Sequence, residues 1–121
     1  MRHGLLLLAY AGLIFWQSSH RLPDIGLSLP GFDKLLHSAA YALMGWLVCR
    51  ALAGTRLKRP AARLYLLALV ITVVYGLSDE WHQSFVPGRT ADGWDLMADA
   101  LGALLGVVGY HFRPYLWRPA A

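Results

Sequence analysis

Four stretches almost without charge, residues 4–16, 35–53, 64–78 and 96–112, divide this chain of 121 residues. Read as helices, the first and third reach only about 20 to 25 Å, against a bilayer hydrocarbon core of about 30 Å. Flanking residues must then snorkel, or the bilayer must thin locally. A water-soluble four-helix bundle would instead need a polar face on every helix. Residues 64–76 offer only Tyr65, Thr72 and Tyr75 as polar-capable side chains. Hydrophobic residues make up 57% of the sequence and charged ones 15%, an apolar excess that lipid-facing helices explain and a soluble domain does not. The expectation is an all-α membrane protein, one domain over 1–121, built as a four-transmembrane-helix bundle.

The first stretch imitates a secretory signal peptide, with Arg2 before an apolar run and Gln17, Ser18 and Ser19 behind it, but no small-residue cleavage site follows. It is read as an uncleaved first span. The single cysteine, Cys49, lies beside Ala51 in an apolar stretch and is read as a small core residue. Charge sets the orientation. With the first loop outside, Arg2, Arg50, Arg56, Lys58, Arg59, Arg63, Arg113 and Arg118 fall on the cytoplasmic side, eight of the eleven basic residues. That asymmetry favours both termini in the cytoplasm. The net charge of +4 therefore calls for no nucleic acid; retained cytoplasmic loops and anionic lipid account for it. All seven acidic residues, Asp24, Asp33, Asp79, Glu80, Asp92, Asp95 and Asp99, gather in the outer loops or the outer ends of spans.

The first loop, around Pro23, Gly26, Pro30 and Gly31, reads as an ordered or partly extended connection, and Asp33 stands where the second helix needs an N-cap. Residues 54–63, basic and containing Pro60, read as a cytoplasmic turn, and Pro87–Gly88 as a tight reversal. Helical spacing then turns residues into faces. Lys34, His37 and Tyr41 share one face of the second helix, and Asp92, Asp95 and Asp99 one face of the fourth, prolonged by Gly102 and Gly106. Glu80 and Gln83 are likewise three apart, and Arg89 follows the reversal. An ionisable residue at membrane depth costs several kcal/mol unless paired or hydrated, so Asp99 and His37 should face the bundle or a wet cleft. Ala98, Gly102 and Gly106 form a small-residue strip suited to close packing inside the monomer, and Trp16, Trp81 and Trp94 suit interfacial anchoring. His20 and His82 are read as interfacial.

The segments DKLLHSAAY and DEWHQSFVPGRTADGWDLMADALGALLG, within residues 33–106, resemble the VanZ-like family of small bacterial membrane proteins. The resemblance rests on Asp33, Lys34, His37, Tyr41, Asp79, Glu80, Gln83, Phe85, Pro87, Gly88, Arg89, Asp92, Asp95 and Gly102 at matching spacings. It implies a multi-pass protein of the bacterial cytoplasmic membrane, in a family named for a member associated with resistance to the glycopeptide teicoplanin. It implies no known reaction. Many relatives place Asn where this chain has Asp99.

The candidate polar pocket is Lys34, His37, Tyr41, Glu80, Gln83, Arg89, Asp92, Asp95 and Asp99. One reading is a site for an anionic membrane lipid or lipid-linked envelope precursor. Arg89 and Lys34 would contact phosphate while Asp95, Asp99, Glu80 and Gln83 hold those cations or accept head-group hydroxyls. A second is an internal polar network that pins helices together. A third is a hydrolase or transferase using the acids with His37 or His82, and transport is a fourth. The spacing does not demand catalysis: Glu80 and His82, two apart, diverge by about 200 degrees on a helix, and there is no Ser-His-Asp order, nucleotide loop or HExxH helix. No cofactor and no metal are assigned, and oligomeric state is left open.

Overall fold

The structure, a computed structural model, describes residues 2–19, 32–56, 60–88 and 93–116. These form four helices, α1 (Arg2–Ser18), α2 (Phe32–Ala53), α3 (Ala61–Gln83) and α4 (Gly93–Leu116), with no strand among the described residues. Residues 20–31, the Asp33 side chain, Lys58, Arg59, Arg118 and, from the candidate pocket, Arg89 and Asp92 lie outside what is described.

Each apolar stretch falls inside one helix. At about 1.5 Å per residue the four measure about 25, 33, 35 and 36 Å, from their 17, 22, 23 and 24 residues. The third exceeds its apolar run because Asp79, Glu80 and Gln83 stay helical and point inward, all three being buried. Two helices, Lys34–Ala53 and Ala61–Gln83, are long and apolar enough to cross a membrane.

The ends of α3 follow from local chemistry. Pro60 precedes it with φ −55°, close to the helical value that its ring imposes. At the other end the amides of Ser84, Phe85 and Val86 donate to the carbonyls of Glu80, His82 and Gln83, which tightens the last turn. Gly88 then takes φ 81°, a left-handed conformation that glycine adopts without a Cβ clash, as the sequence reading of a Pro87–Gly88 reversal requires.

The bundle is centred on α2. Its contact with α4 is backbone-close: a Cβ placed on Gly102 would stand 2.1 Å from the Ser38 carbonyl oxygen, and one on Gly106 would stand 2.0 Å from that of Ala42. Gly45 repeats this from the α2 side, where a Cβ would lie 2.8 Å from the Ala103 carbonyl oxygen. The small-residue strip thus packs within the chain. Around this seam Tyr41, Met44, Val48, Cys49, Ala68, Val107 and Tyr110 form one buried cluster with Ile14. Two phenols fasten α1 to it, Tyr10 donating to the Ala40 carbonyl (2.7 Å) and Tyr75 to that of Ala11 (2.5 Å).

The polarity of the bundle is inverted. Large apolar side chains point outward on every helix, including Leu8, Leu35, Leu66, Val74 and Leu101, while Ser18, Thr72, Asp79, Glu80, Gln83, Asp95 and Asp99 are buried. In water such an outer surface would be a contiguous apolar patch far larger than soluble monomers carry. Facing acyl chains it carries no such penalty, and the buried polar groups escape lipid. Trp16, Trp81 and Trp94 are all exposed, as anchors must be.

Candidate functional site

The polar residues of three helices converge at the end of the bundle where α2 and α4 begin and α3 ends. Three- and four-residue spacing puts Lys34, His37 and Tyr41 on the face that α2 turns to its neighbours, and Asp95 and Asp99 on the matching face of α4. Lys34 Nζ donates to Asp95 Oδ1 at 2.5 Å. One turn deeper, His37 Nδ1 and Asp99 Oδ1 share a proton at 2.9 Å, while His37 Nε2 lies 3.9 Å from Asp95 Oδ2. Another turn along, Tyr41 donates to Asp79 Oδ2 at 3.0 Å. From α3, Gln83 Nε2 reaches both Asp79 Oδ2 and Ser18 Oγ at 3.4 Å.

Seven of the nine candidate residues are therefore described and gather in one place; the positions of Arg89 and Asp92 are not among them. The structure adds residues that the pocket reading left out. Asp79, which the sequence places among the outer acids and in the family pattern but not in the pocket, accepts from Tyr41 and Gln83 at the centre of the network. α1 contributes as well, since Ser18 meets Gln83, and Ser19 Oγ lies 2.9 Å from His82 Nε2. His82 also stacks on Phe15, with ring centroids 4.6 Å apart, so it is a helix-contact residue and half-buried. The four-residue spacing of Asp79 and Gln83 was a usable signal for the first; nothing in the sequence pairs α1 with α3.

Four carboxylates meet at this end of the bundle: Asp79, Glu80, Asp95 and Asp99 are 6%, 6%, 8% and 0% exposed. Lys34 is ion-paired with Asp95. Removing carboxylates from water costs several kcal/mol each unless opposite charge or hydrogen bonds offset it. Asp99 Oδ2 is buried and accepts no hydrogen bond. Gly76 makes room for it: a Cβ there would meet Tyr41 Cε1 at 3.2 Å and Asp99 Oδ2 at 3.3 Å. One ligand atom each from His37, Glu80 and Asp99 lies within 4.8 Å of the others, a set drawn from α2, α3 and α4.

An all-helical bundle with apolar residues outside, two helices able to cross a bilayer and an ionisable cluster inside defines a membrane protein with an internal polar site. The chain belongs to the VanZ/LLP1 family, whose model matches residues 5–116. That match includes α1, which the resemblance read from the sequence left largely aside. No curated protein and no solved structure matches it.

Proposed function

We propose that this is a four-span protein of the bacterial cytoplasmic membrane, with both termini in the cytoplasm, that engages a phosphate-bearing head group at the outer end of the bundle. The observation that carries this reading is Lys34. Its side chain remains 31% exposed at the rim, while Asp95 holds it above the buried acids. An ammonium so placed meets a phosphate at the depth of the lipid head groups, and Arg89 is the second cation of this reading. The carboxylates at the rim serve as acceptors for head-group hydroxyls. Sugar-bearing, lipid-linked envelope precursors offer both features, which connects the site to glycopeptide susceptibility through the family.

Native mass spectrometry of the protein taken from its own membrane, beside Lys34→Ala and Arg89→Ala, tests this. A phosphate-bearing lipid retained by the wild type and lost from still-folded variants is expected, and its mass separates a glycerophospholipid from a polyprenyl-linked precursor. Equal retention by all three proteins refutes it. Reporter fusions to the C-terminus should be active only as cytoplasmic reporters.

A second reading, a network that locks the helices together, draws on the internal pairing of His37 with Asp99, Tyr41 with Asp79 and Gln83 with Ser18. It requires that Lys34→Ala lower membrane abundance rather than lipid retention.

A further inference from the structure

We propose that His37, Glu80 and Asp99 form a binding site for a divalent transition-metal cation of the zinc or manganese class, held between α2, α3 and α4. The proposal stands on the donors themselves and does not rest on the head-group reading. Three different helices each present one donor atom, and the three atoms lie within 4.8 Å of one another. Zinc takes imidazole nitrogen and carboxylate oxygen at about 2.0 to 2.2 Å, so two donors on one ion stand at most about 4.4 Å apart. A contraction of a few tenths of an ångström, within the reach of side-chain torsions, brings this set to coordination distance.

Two further observations point to a ligand. Asp99 has a fully buried side chain, and its Oδ2 accepts no hydrogen bond. That oxygen lies beside α3 at Gly76, one helical turn before Glu80. The second observation lies behind the imidazole. His37 Nε2 is 3.9 Å from Asp95 Oδ2, and Asp95 is itself held by Lys34. At that separation Asp95 is a nearby anion and not a hydrogen-bond acceptor of the imidazole, so it favours a cation beside the ring without fixing the ring's orientation.

The donor chemistry selects the ion. One imidazole and two carboxylates suit borderline divalent metals, whereas magnesium and calcium favour all-oxygen sets. Two carboxylates neutralise the ion's double charge, as a low-dielectric interior requires. On binding, the hydrogen bond between His37 Nδ1 and Asp99 Oδ1 gives way: Nδ1 must be unprotonated to ligate, so a neutral imidazole carries its proton on Nε2 and an imidazolium also releases one to solvent. Three protein donors leave a fourth position for water or a phosphate oxygen.

The test uses the full chain in detergent, stripped with chelator and titrated separately with zinc, manganese and magnesium chlorides. About one zinc per chain is expected, weakened at least about 10-fold in Asp99→Asn and in Glu80→Gln, with magnesium binding far weaker. Arg89→Ala, which removes none of the proposed donors and none of the residues holding them, should keep its zinc even where it loses lipid, so failure of this proposal and failure of the head-group reading are separable. X-ray absorption at the zinc edge of the wild-type protein should show one imidazole nitrogen with oxygen neighbours, and it decides the matter should either variant not fold. A wild-type chain that takes up no zinc, or one whose zinc lacks an imidazole neighbour, overturns the site and leaves His37 and Asp99 as a proton-sharing pair.

Discussion

Replacing Gly106 by alanine should separate α2 from α4. The added methyl carbon would stand 2.0 Å from the Ala42 carbonyl oxygen, with the Ala42 carbonyl carbon at 2.8 Å. A carbon and a carbonyl oxygen rest at about 3.3 Å, so the overlap is about 1.3 Å. The obstacle is helix backbone, which has no rotamer to change, so the helices must part over at least one turn. Overpacking of this kind costs about 1 to 3 kcal/mol, and the loss of contact around the buried Tyr41, Met44 and Val48 places Gly106→Ala at the upper end. Gly12→Ala is the control. A Cβ there meets nothing within 4 Å, and relieving a helix-interior glycine is worth about 0.5 to 1 kcal/mol in the opposite direction. The propensity gain is common to both variants, so they should differ by the overpacking cost, about 1 to 3 kcal/mol, read from unfolding in mixed detergent and sodium dodecyl sulfate micelles followed by circular dichroism. Gly102→Ala should behave like Gly106→Ala, because its clash with Ser38 is nearly as deep. Stabilities for Gly106→Ala and Gly12→Ala within about 0.5 kcal/mol of each other would refute the close-packed seam.

Tyr41→Phe should destabilise by about 1 to 3 kcal/mol in the same assay, because it removes the short hydrogen bond to buried Asp79 and leaves only the longer one from Gln83. Tyr10→Phe combined with Tyr75→Phe removes both phenol tethers to backbone carbonyls and should loosen α1 selectively. Faster proteolysis near the N-terminus, with α2–α4 intact, is the expected readout. Cys49, fully buried in the core, should resist maleimide in the folded protein and react once dodecyl sulfate unfolds it; rapid labelling of the native state would contradict the packing around it.

The helices and their polar faces were legible because both depend on period alone. Lys34, His37 and Tyr41 share a face wherever the helix packs, and so do Asp95 and Asp99. The partners were not legible, because each pair joins positions 38 to 65 residues apart: Tyr41 with Asp79, Lys34 with Asp95, Ser18 with Gln83. Such pairings are decided by which helices become neighbours, and the glycine strip, legible as a close-packing surface, does not say which helix it meets until α2 and α4 touch. The same geometry alters the electrostatic reading. From the sequence, Lys34 stands beside Arg89 as a cation ready for an anion; in the fold it is already engaged by Asp95. An incoming phosphate must share Lys34 with that carboxylate and must approach three more acids below it. A divalent cation at the proposed centre would offset the charge of its ligating carboxylates, which the phosphate on Lys34 approaches. The proposed metal centre and the proposed head-group site are then mutually reinforcing: removing zinc should weaken lipid retention, and removing lipid should weaken zinc affinity by the same factor. Retention of the lipid by fully chelated protein at undiminished affinity would break that coupling and return the recognition of phosphate to Lys34 and Arg89 alone.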